Sequence, residues 1–142
     1  MRLIKAAHSV YRTQYHIAWV TRYRRKILNE AVAGYLETKL QEARKYYPDW
    51  EYIAIGIDVD HVHLHMVIPP KYAVSTVVET LKKNTSRELS KKFRFFKQVY
   101  WDNEGIWSKG FFVSTVGINE GIIRKYVQMQ EKEDTGQTKF EF

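Results

Sequence analysis

The run Asp60-His61-Val62-His63-Leu64-His65-Met66-Val67-Ile68 constrains the fold more than any other stretch. It alternates polar and apolar residues with period 2 and ends at Pro69-Pro70. That pattern marks a β-strand with one buried and one open face. Side chains two apart on one face stand about 6.6 Å from each other, at a rise of ~3.3 Å per residue. His61 and His63 are therefore neighbours on one face, while Val62, Leu64 and Met66 turn the other way into a core. Two imidazoles so spaced can converge on one metal ion. His65 shares their face but lies ~13 Å from His61, too far for all three to close on one ion from a straight strand. A half-exposed strand that merely tolerates histidines stays open as the plainer interpretation. A pair within a chain of five histidines gives that interpretation no advantage.

Such a strand needs neighbours, and the rest of the 142 residues supplies them within a single domain. Residues 13–20 are aromatic and β-branched and predict a first strand. Val32, Tyr35, Leu36, Leu40, Ala43 and Tyr47 recur at three and four, predicting a helix from Asn29, its N-cap, to Tyr47 before Pro48. Residues 50–59 predict a second strand, with Tyr52, Ala54, Gly56 and Asp58 on one face and Ile53, Ile55, Ile57 and Val59 on the other. A tight hairpin through Asp58-Val59-Asp60 joins it to the histidine strand. A second helix is predicted over 75–93, an aromatic-rich irregular segment over 94–109 (Phe95, Phe96, Tyr100, Trp101, Trp107), and a fourth strand over 111–116. Asn119 caps a last helix running to Asp134, and 135–142 reads as a loosely ordered tail. The fold class is α+β: a ferredoxin-like βαββαβ antiparallel sheet with helices on one face, plus an extra C-terminal helix.

Charge narrows the partner. The chain carries a formal net charge of +7 with 15% aromatic residues, a composition suited to phosphate backbones and stacked bases. Arg22-Tyr23-Arg24-Arg25-Lys26 follows the first strand, and Lys82, Lys83, Arg87, Lys91 and Lys92 make the second helix strongly basic. Both are either solvated surfaces or tracks for a nucleic-acid backbone. With no cysteine, a disulfide framework and a thiolate metal site are both excluded. No apolar run approaches the ~20 residues of a membrane span, so a cytoplasmic protein is expected.

On the last helix Tyr126 and Gln130 are four apart and share a face, with Ile123 and Val127 beside them to pack on the sheet. A helix tyrosine is ordinarily core or surface. A phenol with an ordinary pKa near ~10 needs help to attack a phosphodiester, and a divalent ion beside it supplies that help. The Gln130 carbonyl oxygen would complete a His, His, Gln set, mixed ligation that suits Mg²⁺ or Mn²⁺ better than a closed zinc site.

Taken together, Asp60-His61-Val62-His63 and Ile68-Pro69-Pro70-Lys71-Tyr72 resemble the His-hydrophobe-His (HUH) motif of single-tyrosine transposases from small insertion sequences, the IS200-like transposase family. The resemblance extends, in order, through Tyr15-His16-Ile17, Arg22-Tyr23-Arg24-Arg25-Lys26, Leu81-Lys82-Lys83, Trp107-Ser108-Lys109-Gly110-Phe111-Phe112-Val113, Thr115-Val116-Gly117 and Arg124-Lys125-Tyr126 to Gln130-Glu131-Lys132-Glu133-Asp134. It implies a homodimer that cleaves and rejoins single-stranded DNA bearing hairpins at the element's ends. Tyr126 is the implied nucleophile, leaving a 5′-phosphotyrosine and a free 3′-OH, with no need for ATP. His61, His63 and Gln130 are the implied ligands of Mg²⁺ or Mn²⁺, and Arg22, Tyr23, Arg24, Arg25, Lys26, Lys82 and Lys83 the implied DNA contacts. In relatives the tyrosine helix of one subunit can complete the histidine site of the other, which puts Gly117 in a swinging connection. Two departures stand out. Val59 replaces a common proline, and His65 replaces an aliphatic residue, creating a second candidate pair, His63 and His65; the place of Asp60 favours His61 and His63. Rival readings are a non-catalytic single-strand-binding module and a metal-dependent hydrolase that uses water.

Overall fold

In the computed structural model, which describes residues 3–5, 10–100 and 104–136, the histidine run forms the predicted strand. In chain order the elements are β1 (Ile4–Lys5), β2 (Val10–Tyr11), β3 (Gln14–Val20), a 3-10 turn (Arg22–Arg24), α1 (Glu30–Glu42) with a 3-10 extension (Ala43–Lys45), β4 (Glu51–Ile57), β5 (His61–Val67), α2 (Val74–Lys92), α3 (Phe96–Val99), β6 (Phe112–Ser114) and α4 (Glu120–Asp134). Both predicted asparagine caps are in place. Asn29 Oδ1 accepts from the Val32 amide and Asn119 Oδ1 from the Ile122 amide, each at 3.0 Å. Each cap satisfies an amide that lacks an intrahelical partner.

The main sheet is antiparallel throughout, in the order β4-β5-β3-β6. Counting these strands along the chain gives 2-3-1-4, the ferredoxin-like arrangement. Register settles which residues share a face: His16 pairs with His65, Ala18 with His63 and Val20 with His61. Those six side chains therefore occupy one face, and Ile17, Trp19, Val62, Leu64 and Met66 the other. The second set joins Val32, Leu36 and Leu40 of α1 and Val77, Val78, Leu81 and Leu89 of α2 in one continuous buried core. The aromatic segment divides cleanly. Phe96, Tyr100 and Trp107 are core, Phe95 is exposed, and Trp101 lies outside the described residues. Trp107 meets Trp19 edge-on at 5.9 Å and donates its indole N–H to Thr85 Oγ1.

Three details depart from expectation. A bulge between Tyr52 and Ala54 shifts the β4 register, so Tyr52 packs on the core with Ile55 and Ile57, and Ile53 is half exposed. One inserted residue is enough to turn a strand's alternation over. The fourth strand contracts to three residues. A small β1-β2 ribbon precedes the sheet, and of the tail only Thr135 and Gly136 are described.

Candidate functional site

α4 lies across the sheet face opposite α1 and α2. Ile123, Tyr126 and Val127 pack on Ala18, Val20 and Phe112. The small Ala18 lets a helix approach closely here, beside the histidines.

One flank of α4 forms a cleft of about 550 Å³ with His61, His63, Asp58, Asp60, Arg24 and Lys26; Ile123, Arg124 and Val127 close it. Asp60 Oδ1 sits 2.9 Å from His61 Nδ1. With Nδ1–H donated to that carboxylate, the lone pair is left on Nε2, the arrangement that prepares a histidine to bind metal. Burial alone would push the Asp60 carboxyl up, but hydrogen bonds from His61 and Arg24 hold it below its usual range. Burial, and then the neighbouring His16, His61 and His65, hold His63 below the usual imidazole range, favouring the neutral ring. His63 Nε2 is buried and has no hydrogen-bond partner among the described residues. An orphaned nitrogen beside an oriented imidazole is a donor set that fits a divalent cation with two nitrogen ligands. His65 is differently engaged. Its Nε2 meets Gln14 Oε1 at 2.9 Å and its ring stacks on His16 at 4.1 Å. Among the described residues no three His, Asp or Glu side chains are arranged so that together they could hold a metal ion.

The other flank of α4 forms a cleft of about 660 Å³ lined by Tyr126, Gln130, Tyr23, Lys109, Phe112 and Asp134. Tyr126 is 3% exposed, and its ring lies 5.8 Å from that of Phe112. Burial pushes its phenol well above the ordinary range, and the Asp134 carboxylate acts in the same direction. Gln130 Nε2 donates to Asp134 Oδ1 at 3.3 Å, while Asp134 Oδ2 accepts from the Tyr23 amide at 3.0 Å and from Ser108. The fold thus brings Tyr126, Gln130, His61 and His63 to one sheet face but, within a single chain, to opposite flanks of α4.

Three of the DNA contacts expected from sequence are engaged within the chain. Arg22 is buried, with its guanidinium 3.3 Å from Glu104 and over the Tyr100 ring. Arg24 is held by two carboxylates, Asp60 at 3.0 Å and Glu131 at 3.1 Å. Lys82 is 7% exposed and donates to the Ser108 and Gly110 carbonyls, both at 2.8 Å; its burial lowers the ammonium pKa. Their methylene stems let basic residues read as surface reach inward. Tyr23, Arg25, Lys26 and Lys83 are exposed as expected. Asp134, Ser108 and His16 lie in stretches that carry the family resemblance, yet the sequence assigns them no role. Apart from Gln130, one helical turn from Asp134, their partners lie far away along the chain. Tyr23 and Arg24 both adopt left-handed backbone, φ 59° and 54°, in a turn without glycine. Two such residues in succession cost on the order of 1–3 kcal/mol each and persist only where surroundings impose them.

A model of the family described as "Transposase IS200 like" matches residues 9–130. The transposase of insertion sequence element IS200 from Salmonella typhimurium is 31% identical over 131 residues, covering 90% of this chain and 83% of that protein. The ISDra2 transposase TnpA of Deinococcus radiodurans is 27% identical over 135 residues, covering 94% and 95% respectively. A crystal structure of a protein from Deinococcus radiodurans R1, assigned as a transposase, superposes with a TM-score of 0.78 at 27% identity over 89% of this chain and 97% of the other. A REP-associated tyrosine transposase bound to a REP hairpin shares the fold, with a TM-score of 0.55 at 16% identity over 95% of this chain and 76% of that one.

Proposed function

This chain belongs to the IS200-like transposase family, and from that premise we propose that it cuts and rejoins single-stranded DNA at insertion-sequence ends, with Tyr126 as nucleophile. The Tyr126 oxygen attacks phosphorus and gives up its proton; the bond from phosphorus to the 3′ oxygen breaks, and that oxygen leaves as a hydroxyl. The strand is then held as a 5′-phosphotyrosine, and attack by a 3′-OH reverses the step, conserving bond energy without ATP. His61 and His63, with the Gln130 carbonyl oxygen, would hold Mg²⁺ or Mn²⁺. Such an ion, when bound, offsets the charge that builds on the phosphate oxygens.

The observation that carries this reading is the pairing of an oriented His61 with the orphaned His63 nitrogen under the helix that bears Tyr126 and Gln130. The two flanks of α4 favour a homodimer in which α4 of one subunit serves the histidines of the other. The 115–117 connection is exposed, and Gly117 has open space around it. Exposed Tyr23, Arg25, Lys26 and Lys83 would contact the DNA, and the hairpin-bound fold relative supports a hairpin-bearing strand as partner.

The test is a denaturing gel of the protein with labelled, hairpin-bearing single-stranded DNA and Mn²⁺. A slow-migrating covalent adduct is expected, and it should vanish in Tyr126→Phe while DNA binding persists. Nicking without adduct would establish a water-using hydrolase. Binding without nicking would establish a non-catalytic module.

A further inference from the structure

The 3-10 turn between β3 and α1 holds a side chain that belongs to both halves of the site. Arg24 Nε lies 3.0 Å from Asp60 Oδ2, and its Nη1 lies 3.1 Å from Glu131 Oε2 on α4. The second oxygen of Asp60 is the one that faces His61 Nδ1 at 2.9 Å. A continuous chain therefore runs from the tyrosine helix through Glu131, Arg24 and Asp60 to the imidazole of His61. Asp60 is 6% exposed, so an unneutralised carboxylate there would be costly; the guanidinium supplies the compensating charge. The fork geometry matters, since Arg24 serves two acceptors from different nitrogens of one planar group, which lysine cannot copy. The left-handed backbone at Tyr23 and Arg24 places the group between its two acceptors, and the Tyr23 amide is fixed in turn by Asp134 of α4.

Resting on the function proposed above, we infer that Arg24 is a positioning residue and not a DNA contact in this state: it orients His61 through Asp60 and, with the same guanidinium, anchors the tyrosine helix through Glu131. A phosphate entering the cleft beside Arg24 and Lys26 competes with Glu131 for that guanidinium, so substrate arrival and release of α4 are linked at one side chain.

Two readouts test this on the full-length protein: Mn²⁺ affinity by titration calorimetry and hydrogen exchange of α4 amides. Arg24→Gln is expected to weaken Mn²⁺ roughly tenfold to hundredfold, the range for losing a partner that orients a ligand, and to speed exchange along α4. Glu131→Gln should speed α4 exchange to a similar degree but leave Mn²⁺ affinity within twofold. Arg24→Lys, kept as a gentler change in case the glutamine variant misfolds, retains the charge but not the fork and should still weaken Mn²⁺ several-fold. Unchanged Mn²⁺ affinity in folded Arg24→Gln or Arg24→Lys would overturn the inference and reduce Arg24 to a helix clamp. His63→Ala serves as reference. If it leaves Mn²⁺ binding intact, the metal reading itself fails and the inference falls with it; if it abolishes binding while the Arg24 variants leave the affinity unchanged, only the inference falls.

Discussion

Under α1 and α2 the sheet presents Ile17, Trp19, Val62, Leu64 and Met66, each fully shielded from solvent. On its reverse, the same strands present Ala18, Val20 and four histidines, with α4 packed on Ala18 and Val20. The first surface interlocks large side chains with two helices. The second offers α4 a small apolar seat made by Ala18, Val20 and Phe112, then fastens the far end by charge, through Arg24–Glu131 and the Asp134 contacts. Apolar burial scales with area, whereas half-exposed ion pairs contribute little and are weakened by salt. One side of the sheet is therefore held by buried apolar area, and the other by a smaller apolar seat with charge at its end.

The contrast can be broken first by truncating each side. Leu64→Ala on the core side should cost about 3–4 kcal/mol in denaturant unfolding. Val127→Ala on the α4 side should cost about 1–2 kcal/mol, and most of that should appear as faster hydrogen exchange in α4 instead of a lower global midpoint. A loss of global stability in Val127→Ala equal to that in Leu64→Ala would show that both sides form one core.

Alkali gives a second, smaller test. Tyr52, Tyr100 and Tyr126 are all raised above the ordinary phenol range by burial. The folded chain thus keeps protons that the unfolded chain releases above pH ~10. Stability from these groups is complete below that pH and is lost as pH rises beyond it, by about 1.4 kcal/mol per pH unit for each buried phenol. Tyr126→Phe should make that decline shallower by one phenol's share in alkaline denaturation curves. An unchanged slope would mean that Tyr126 titrates freely, as it would if α4 were mostly undocked.

The smallest effects belong to the basic surface. Arg25→Ala, Lys26→Ala and Lys83→Ala should each weaken single-stranded DNA binding a few-fold and lower its salt dependence by less than one charge. Lys82→Met should instead act on the 108–110 loop, since its ammonium is spent on two carbonyls. Fluorescence anisotropy at two salt concentrations separates these outcomes.

Much of this architecture could be read from the chain. Period 2 located β5, and the two asparagines marked the starts of α1 and α4, because those signals are local. Strands of two residues such as β1 and β2 are too short to show any period, and the bulge in β4 hides within an unbroken apolar stretch. Lys82 looked solvent-facing because its neighbours are cationic, yet it lies on the α2 face that turns to Ser108. Arg24 could not be assigned from sequence: its two acceptors are 36 and 107 positions away. The sequence picks out the histidines and Tyr126 as candidates, and the fold brings them to one sheet face. Which flank of α4 each would occupy depends on how a helix rolls on a sheet, and no residue pattern states that.

The asparagine at the start of α4 has one more implication. Because Asn119 closes the first turn from within the segment itself, the rod that carries Tyr126 does not rely on the sheet to keep its end from fraying. If α4 moves as the proposed function requires, this cap moves with it, and the torsional changes fall in the short leash at 115–118.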